Sequence, residues 1–323
     1  MAGLITRRRL VGLIAATVSA GAASSIATAA DGARLTVVAT TGMIADAARR
    51  VGDDHVTVKA LMGSGVDPHA YRQTRSDIVA LSKADLVLRH GLYLEAQLET
   101  FLDRLAKRQT VVAVGEAVPK DQLIAHDDYA DKFDPHVWMS PDLWVHVVEA
   151  VRDALIAKRP EAEAAFRTNM QRYVAELAEL SAYTHRVLGS VPHASRVLVT
   201  AHDAFNYFGR ANGFEVIGIQ GISTESEAGL KRVADLVDLI VSRNIRAVFV
   251  ESSVSDRNVR ALIEGAAARG HQVAIGGELF SDAMGEPGTY QGTYIGMIDH
   301  NATTISRALG GNAPVRGMTG RLS

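Results

Sequence analysis

Pro160–Gly189, PEAEAAFRTNMQRYVAELAELSAYTHRVLG, decides the architecture. The stretch is rich in Ala, Glu and Leu and has almost no breaker, so it is expected to form one long helix. A Pro at its start and a Gly at its end are the normal helix punctuation. On either side of it the chain repeats one pattern, in which short β-branched runs alternate with amphipathic stretches. Before it, Leu35 to Ala39, Val56 to Leu61, Asp85 to Arg89 and Gln109 to Val114 are expected strands, with helical stretches such as Met43 to Val51 between them. After it, Arg196 to Thr200, Phe214 to Ile219, Arg246 to Val250 and His271 to Ile275 are the strands. The matching helices are Phe205 to Asn212, Glu227 to Arg243, Asp256 to Arg269 and Tyr294 to Leu309. Strands alternating with helices imply βαβ units and mainly parallel sheets. The expected fold is therefore α/β: two lobes with mainly parallel β-sheets flanked by helices, joined by one long rigid backbone helix. The boundaries are 31–159 for the N-terminal lobe, 160–192 for the linking helix and 193–311 for the C-terminal lobe. A Gly-rich flexible tail, 312–323, closes the chain.

Residues 1–30 have a different composition. Arg7-Arg8-Arg9 precedes the apolar run Leu10 to Val18, and small residues lead to Ala27-Thr28-Ala29. A basic segment, an apolar segment and a small-residue cleavage site in that order are a secretory signal peptide. Thr6-Arg7-Arg8-Arg9-Leu10-Val11 resembles a twin-arginine export signal, with ordinary Sec export as the alternative. The apolar run is too short to span a membrane, so the mature chain is expected to begin near Ala30. The sequence contains no cysteine, which excludes disulfides and the lipidated Cys that tethers bacterial lipoproteins. An exported, soluble periplasmic protein without a lipid anchor follows as the expectation. A net charge of −2 over 323 residues, with no basic run in the mature chain, argues against nucleic acid as a partner.

The sharpest chemical feature is a repeated tripeptide. Asp67-Pro68-His69 follows the second strand, and Asp134-Pro135-His136 precedes the helix that starts at Pro141. Proline fixes its own φ and keeps the residue before it extended, so each His is presented from a stiff loop. A metal site needs imidazoles held in that way, and each Asp could accept a hydrogen bond from an imidazole N–H and set its tautomer. The bland alternative is a pair of turns carrying surface histidines. Two further candidates lie where strands end: His202 after Arg196 to Ala201, and Asp282 after His271 to Ile275. Open α/β sheets bind ligands beyond the carboxyl ends of their strands. Alternatively, His202 caps a helix and Asp282 belongs to a loop. Three imidazoles and one carboxylate would make a four-donor site suited to zinc or another divalent first-row ion. The remaining histidines, His90 and His126 among them, are expected to be solvated or structural. No G-x-S-x-G elbow, phosphate loop or H-E-x-x-H helix occurs.

From about Leu35 to about Leu309 the chain resembles the cluster A-I, TroA-type solute-binding proteins of zinc/manganese ABC transporters. Five segments carry the likeness: Met62 to His69, Asp134 to Trp138, Thr200 to Phe205, Val250 to Ser253 and Gly276 to Asp282. The resemblance implies a metal held between two lobes by His69, His136, His202 and Asp282. It also implies a monomer that captures the ion in the periplasm and delivers it to an ABC permease in the membrane, without catalysis. A His at the third position, rather than the Glu of many manganese-type members, favours Zn²⁺ over Mn²⁺ as the transported ligand. The long His- and acid-rich loop of many zinc members is absent here. Lys120 to Asp134 contains only His126, which leaves manganese, or iron, as the runner-up. The competing readings are a periplasmic zinc-dependent hydrolase and a metal-binding adhesin or buffer.

Overall fold

The computed structural model describes residues 33–126 and 131–322, so the expected signal peptide lies outside the described residues. The N-terminal half opens with β1 (Leu35–Ala39), α1 (Gly42–Gly52), β2 (Val56–Ala60), α2 (Arg75–Lys83), β3 (Leu86–Arg89), α3 (Glu99–Ala106) and β4 (Val111–Ala113). Its strands form one parallel sheet in the order β2-β1-β3-β4. Val37, Val38 and Ala39 of β1 and Leu86, Val87 and Leu88 of β3 are all buried. These continuous apolar runs are what a sheet covered on both faces requires. Local chemistry sets the helix starts. Thr41 caps α1, Thr74 and Asp77 form a capping box on α2, and Ser140 caps the next helix, α4 (Pro141–Lys158), which has Pro at its first turn.

A short turn at Pro160–Ala162 leads into α5 (Glu163–Gly189), so the long helix stands where the sequence places it. Phe166, Met170, Tyr173, Leu177, Leu180, Thr184, Val187 and Leu188 form its buried stripe at three- and four-residue steps. The stripe serves both halves. Tyr173 donates its hydroxyl to Asp46 of α1 at 3.2 Å, and Tyr183 pairs with Thr303 at 2.7 Å.

The second half contains β5 (Val197–Thr200), α6 (Asn206–Asn212), β6 (Glu215–Gly218), α7 (Leu230–Ser242), β7 (Ala247–Glu251), α8 (Arg257–Ala267), β8 (Ala274–Leu279) and α9 (Tyr294–Ala308). Its strands pair in parallel as β5–β6 and β7–β8, two ladders rather than one four-stranded sheet, with β5 beside β7. One hydrophobic core runs from Val37 to Leu322 through α4, α5 and α9, and the residues from Arg34 onward form one compact unit.

Two expectations need correction. The last strand runs from Ala274 to Leu279 instead of His271 to Ile275, because Gly276-Gly277 continues the ladder rather than breaking it. Gly277 adopts φ +149, a Cβ on Gly276 would strike the Phe249 ring, and the register shifts at Val248/Phe249. The closing segment is packed as far as Leu322 instead of loose. Met318 N–H donates to both oxygens of the buried Asp299 at 2.9 and 3.0 Å, and Leu322 is buried.

Candidate metal centre

Each of the four candidate donors lies on a loop just past a strand or just before a helix. Past β2, the chain keeps ladder-like bonds from Leu61 and Met62 to Ala39 and Thr40, then turns at Gly65 with φ +69. Asp67 then accepts the backbone N–H of His69 at 2.9 Å, which closes a tight turn around Pro68. The second tripeptide builds the same turn, with Asp134 accepting the His136 N–H at 2.9 Å. His202 stands two residues beyond β5, and Asp282 three residues beyond β8. All four are almost completely buried, between 0% and 3% exposed.

The four side chains converge. One donor atom from each lies within 4.8 Å of every other, and no other such group occurs among the described residues. His69 Nε2 faces His136 Nε2 at 3.3 Å, and His136 Nε2 faces Asp282 Oδ1 at 3.4 Å. Asp282 Oδ2 lies 3.1 Å from His202 Nε2 and 3.9 Å from His69 Nε2. Four donors about 2.05 Å from a central ion, arranged tetrahedrally, stand about 3.3 Å apart. Three of these four distances sit close to that value, and the fourth, His69 to Asp282 at 3.9 Å, is longer. His202 Nε2 and both Asp282 oxygens are buried without a partner in hydrogen-bond geometry. In a folded protein such atoms are costly unless something else binds them.

The far side of the rings explains their aim. His136 Nδ1–H donates to Asp134 at 2.7 Å, and Asp134 is itself held by Asn206 Nδ2 at 3.1 Å. Its backbone carbonyl accepts from Tyr207 at 2.8 Å. His202 Nδ1–H donates to Glu251 Oε2 at 2.5 Å, while the other Glu251 oxygen accepts the His202 backbone N–H at 2.9 Å. Both rings are thereby fixed with Nε2 turned to the centre. Glu251 lies in Val250 to Ser253, one of the segments that carry the family likeness, but the sequence gives it no role. Beyond that likeness its signal is a carboxylate at the end of a predicted apolar strand, 49 residues from the ring it holds. Asp67 departs from the expectation that each tripeptide Asp would hold an imidazole. Its second oxygen accepts instead from Thr224 Oγ1, at 2.5 Å, across the cleft. His90 is structural: fully buried, it donates from Nε2 to the Pro135 carbonyl at 2.7 Å and steadies the second tripeptide.

Electrostatics follows from these partners. Burial, helped by the neighbouring His136 and His202, pushes His69 down to about 3 against the weaker pull of Asp282. Burial would lower His136 too, but Asp134 and Asp282 carry it up to about 9. His202 is likewise opposed by burial, yet Asp282 and Glu251 raise it well above the ordinary value. Burial would raise Asp282, but the adjoining imidazoles hold it well below the carboxylate range. Without an ion, protons on His136 and His202 hold the centre together, and a divalent cation competes for the same lone pairs.

The chain is similar to known metal-binding proteins. The chain is 48% identical over 276 residues to the manganese-binding lipoprotein MntA of Bacillus subtilis, spanning 85% of this chain and 90% of MntA. It is equally 48% identical over 281 residues to the zinc-binding protein TroA of Treponema pallidum, spanning 87% and 90% of the two chains. The solved structure of periplasmic zinc-binding TroA from Treponema pallidum superposes with a TM-score of 0.84 at 46% identity, covering 86% of this chain and 99% of that one. Among the described residues, no helix is long and apolar enough to cross a membrane. Residues 37–308 match the family described as ZnuA, zinc-uptake complex component A, periplasmic, and the chain belongs to that family.

Proposed function

We propose that this chain is a periplasmic solute-binding protein that captures a divalent transition metal and hands it to an ABC permease in the membrane. The ion sits between the lobes 31–159 and 193–311, held by His69 and His136 from the first and by His202 and Asp282 from the second. The observation that carries the proposal is the set of four buried donors within 4.8 Å of one another, two of them braced by carboxylates. Zinc is the favoured cargo, because three imidazoles make the site softer than an oxygen-rich one, with manganese next. Relatives at equal identity are named for manganese and for zinc, so likeness does not choose between them.

The carrier works as a monomer and is not an enzyme. A catalytic zinc keeps a coordination position for water, whereas Asp282 supplies a fourth protein donor. The sequence has no cysteine, so it carries no cysteine-linked lipid, unlike a relative named a lipoprotein.

Elemental analysis of the purified protein, with competing zinc and manganese titrations of wild type and His202→Ala, tests the reading. The expectation is one ion per chain, tighter binding of zinc, and at least about a 100-fold loss in the variant. Failure to bind any divalent ion sinks the function, and unchanged binding by His202→Ala sinks the site.

A further inference from the structure

The four donors are sealed from solvent, so an ion enters and leaves only if part of the wall moves. On one side of the centre the two halves are joined by buried aromatic side chains. Trp138 Nε1 donates to the Ser281 carbonyl at 2.8 Å, Tyr294 donates to the Trp138 carbonyl at 2.8 Å, and Tyr207 donates to that of Asp134. Trp138, Tyr207 and Tyr294 are all fully buried. The other side is closed by residues 219–229, a strap with neither helix nor strand, in which Ile222 is the only buried residue after Gln220. It meets the first half through side chains nearer the surface: Thr224 on Asp67 at 2.5 Å, and Glu225 accepting from Gln97.

Space is distributed unevenly around this strap. In front of it, His69, Tyr93, Pro135, Ile222 and Ser223 line a throat of only about 10 Å³. That is about the room of one water, too little for a hydrated ion. Beside it, Asp203, Gln220, Gly221, Ile222, Ser226 and Arg232 line a solvent-open pocket of about 310 Å³. The open groove at Ser64, Gly65, Ser252 and Phe280 is lined by none of the four donors, whereas the throat is lined by His69. The strap is the weakest wall, it covers a donor, and it has somewhere to go.

We infer that residues 219–229 form the gate of the metal site and that Thr224, latched on Asp67, sets the rate at which cargo is exchanged. Movement of Ile222 toward that open pocket opens the throat at His69, and the aromatic side stays closed. The inference rests on the metal-carrier reading. Asp67 binds the His69 backbone with its other oxygen, so releasing the latch leaves the ligand turn intact.

The test uses zinc-loaded full-length protein and an excess of a strong chelator, with one zinc per chain verified beforehand. Thr224→Val should lose zinc about tenfold faster than wild type, the loss of one charged hydrogen bond, and Thr224→Ser should release at the wild-type rate. The chain lacks cysteine, so Gln97→Cys/Glu225→Cys introduces the only two thiols. Bridged with a short reducible bis-thiosulfonate, that protein should retain zinc at least about tenfold longer than when unbridged, and a reductant should restore release. Equal release by bridged and reduced protein, or a wild-type rate for Thr224→Val, overturns the gate. A chain that never takes up zinc refutes the carrier reading instead.

Discussion

The two Asp-Pro-His tripeptides have the same sequence and the same turn, and both histidines are buried, yet their imidazoles are driven in opposite directions. Each Asp spends one oxygen on the backbone N–H of its own His. At Asp134 that same oxygen also takes the His136 Nδ1–H, and Asn206 steadies the other, which keeps the carboxylate against the ring. At Asp67 the other oxygen is drawn to Thr224, and the His69 ring is left to burial, to Asp282 and to the neighbouring His136 and His202. His136 therefore rises to about 9 and His69 falls to about 3. A local motif sets the direction in which a side chain leaves the backbone. What lies across the cleft sets its charge.

The comparison breaks most visibly on removal of a donor. His136→Ala takes away both a donor and the partner of Asp134, leaving a buried carboxylate without its main counter-group. Loss of zinc affinity beyond the about 10–100-fold of an outer-shell change is expected, read by competitive titration. Asp134→Asn keeps the backbone cap but not the charge, so His136 should come to resemble His69. Affinity should then fall by about 10–100-fold, and the number of protons displaced by zinc, measured calorimetrically in buffers of different ionisation enthalpy, should drop.

The pH dependence of the metal-free fold sharpens the contrast, because the two tripeptides act with opposite sign. His136 binds its proton more tightly folded than unfolded, where the ordinary value is 6.5. Its contribution to stability is fully present below pH 6.5 and is lost as pH rises through about 9. His69 is neutral in the fold, so its contribution is present above pH 6.5 and is lost as pH falls toward 3. Urea midpoints across pH should show His136→Gln flattening the alkaline limb and His69→Gln the acid limb. Zinc affinity itself should climb between pH 6.5 and 9 as the His136 proton becomes easier to displace. Asp67→Asn is expected to matter least. An amide oxygen still caps His69, so equilibrium affinity should stay within about tenfold of wild type by the same titration.

Most of the strands and the long helix were legible in the sequence, as was the convergence of His69, His136, His202 and Asp282, for a common reason. Strand ends and Pro-stiffened turns are written in consecutive residues, and α/β folds bring strand ends together. Glu251 was not legible as a partner of His202, because nothing local distinguishes a strand-end Glu that braces a ring from one that faces water. Asp67 is followed by the same Pro-His as Asp134, and distant partners separate their roles: Thr224, 157 residues from Asp67, and Asn206, 72 residues from Asp134. The length of β8 was hidden by Gly276-Gly277, which looks like a breaker until Phe249 is seen to need the space. The packed end of the chain depends on Asp299, a residue whose burial follows from α9 docking rather than from its own surroundings in sequence.

The buried stripe of α5 has a thermodynamic consequence. A rod of 27 residues, about 40 Å long, contributes to one core shared by both halves, so the halves cannot part widely without exposing that core to water. Loading and unloading then transfer little apolar surface between protein and solvent, and the heat-capacity change of binding should be small. The loaded and empty carriers would be almost the same size in solution, and a membrane partner would have to tell them apart by the relief of a few loops.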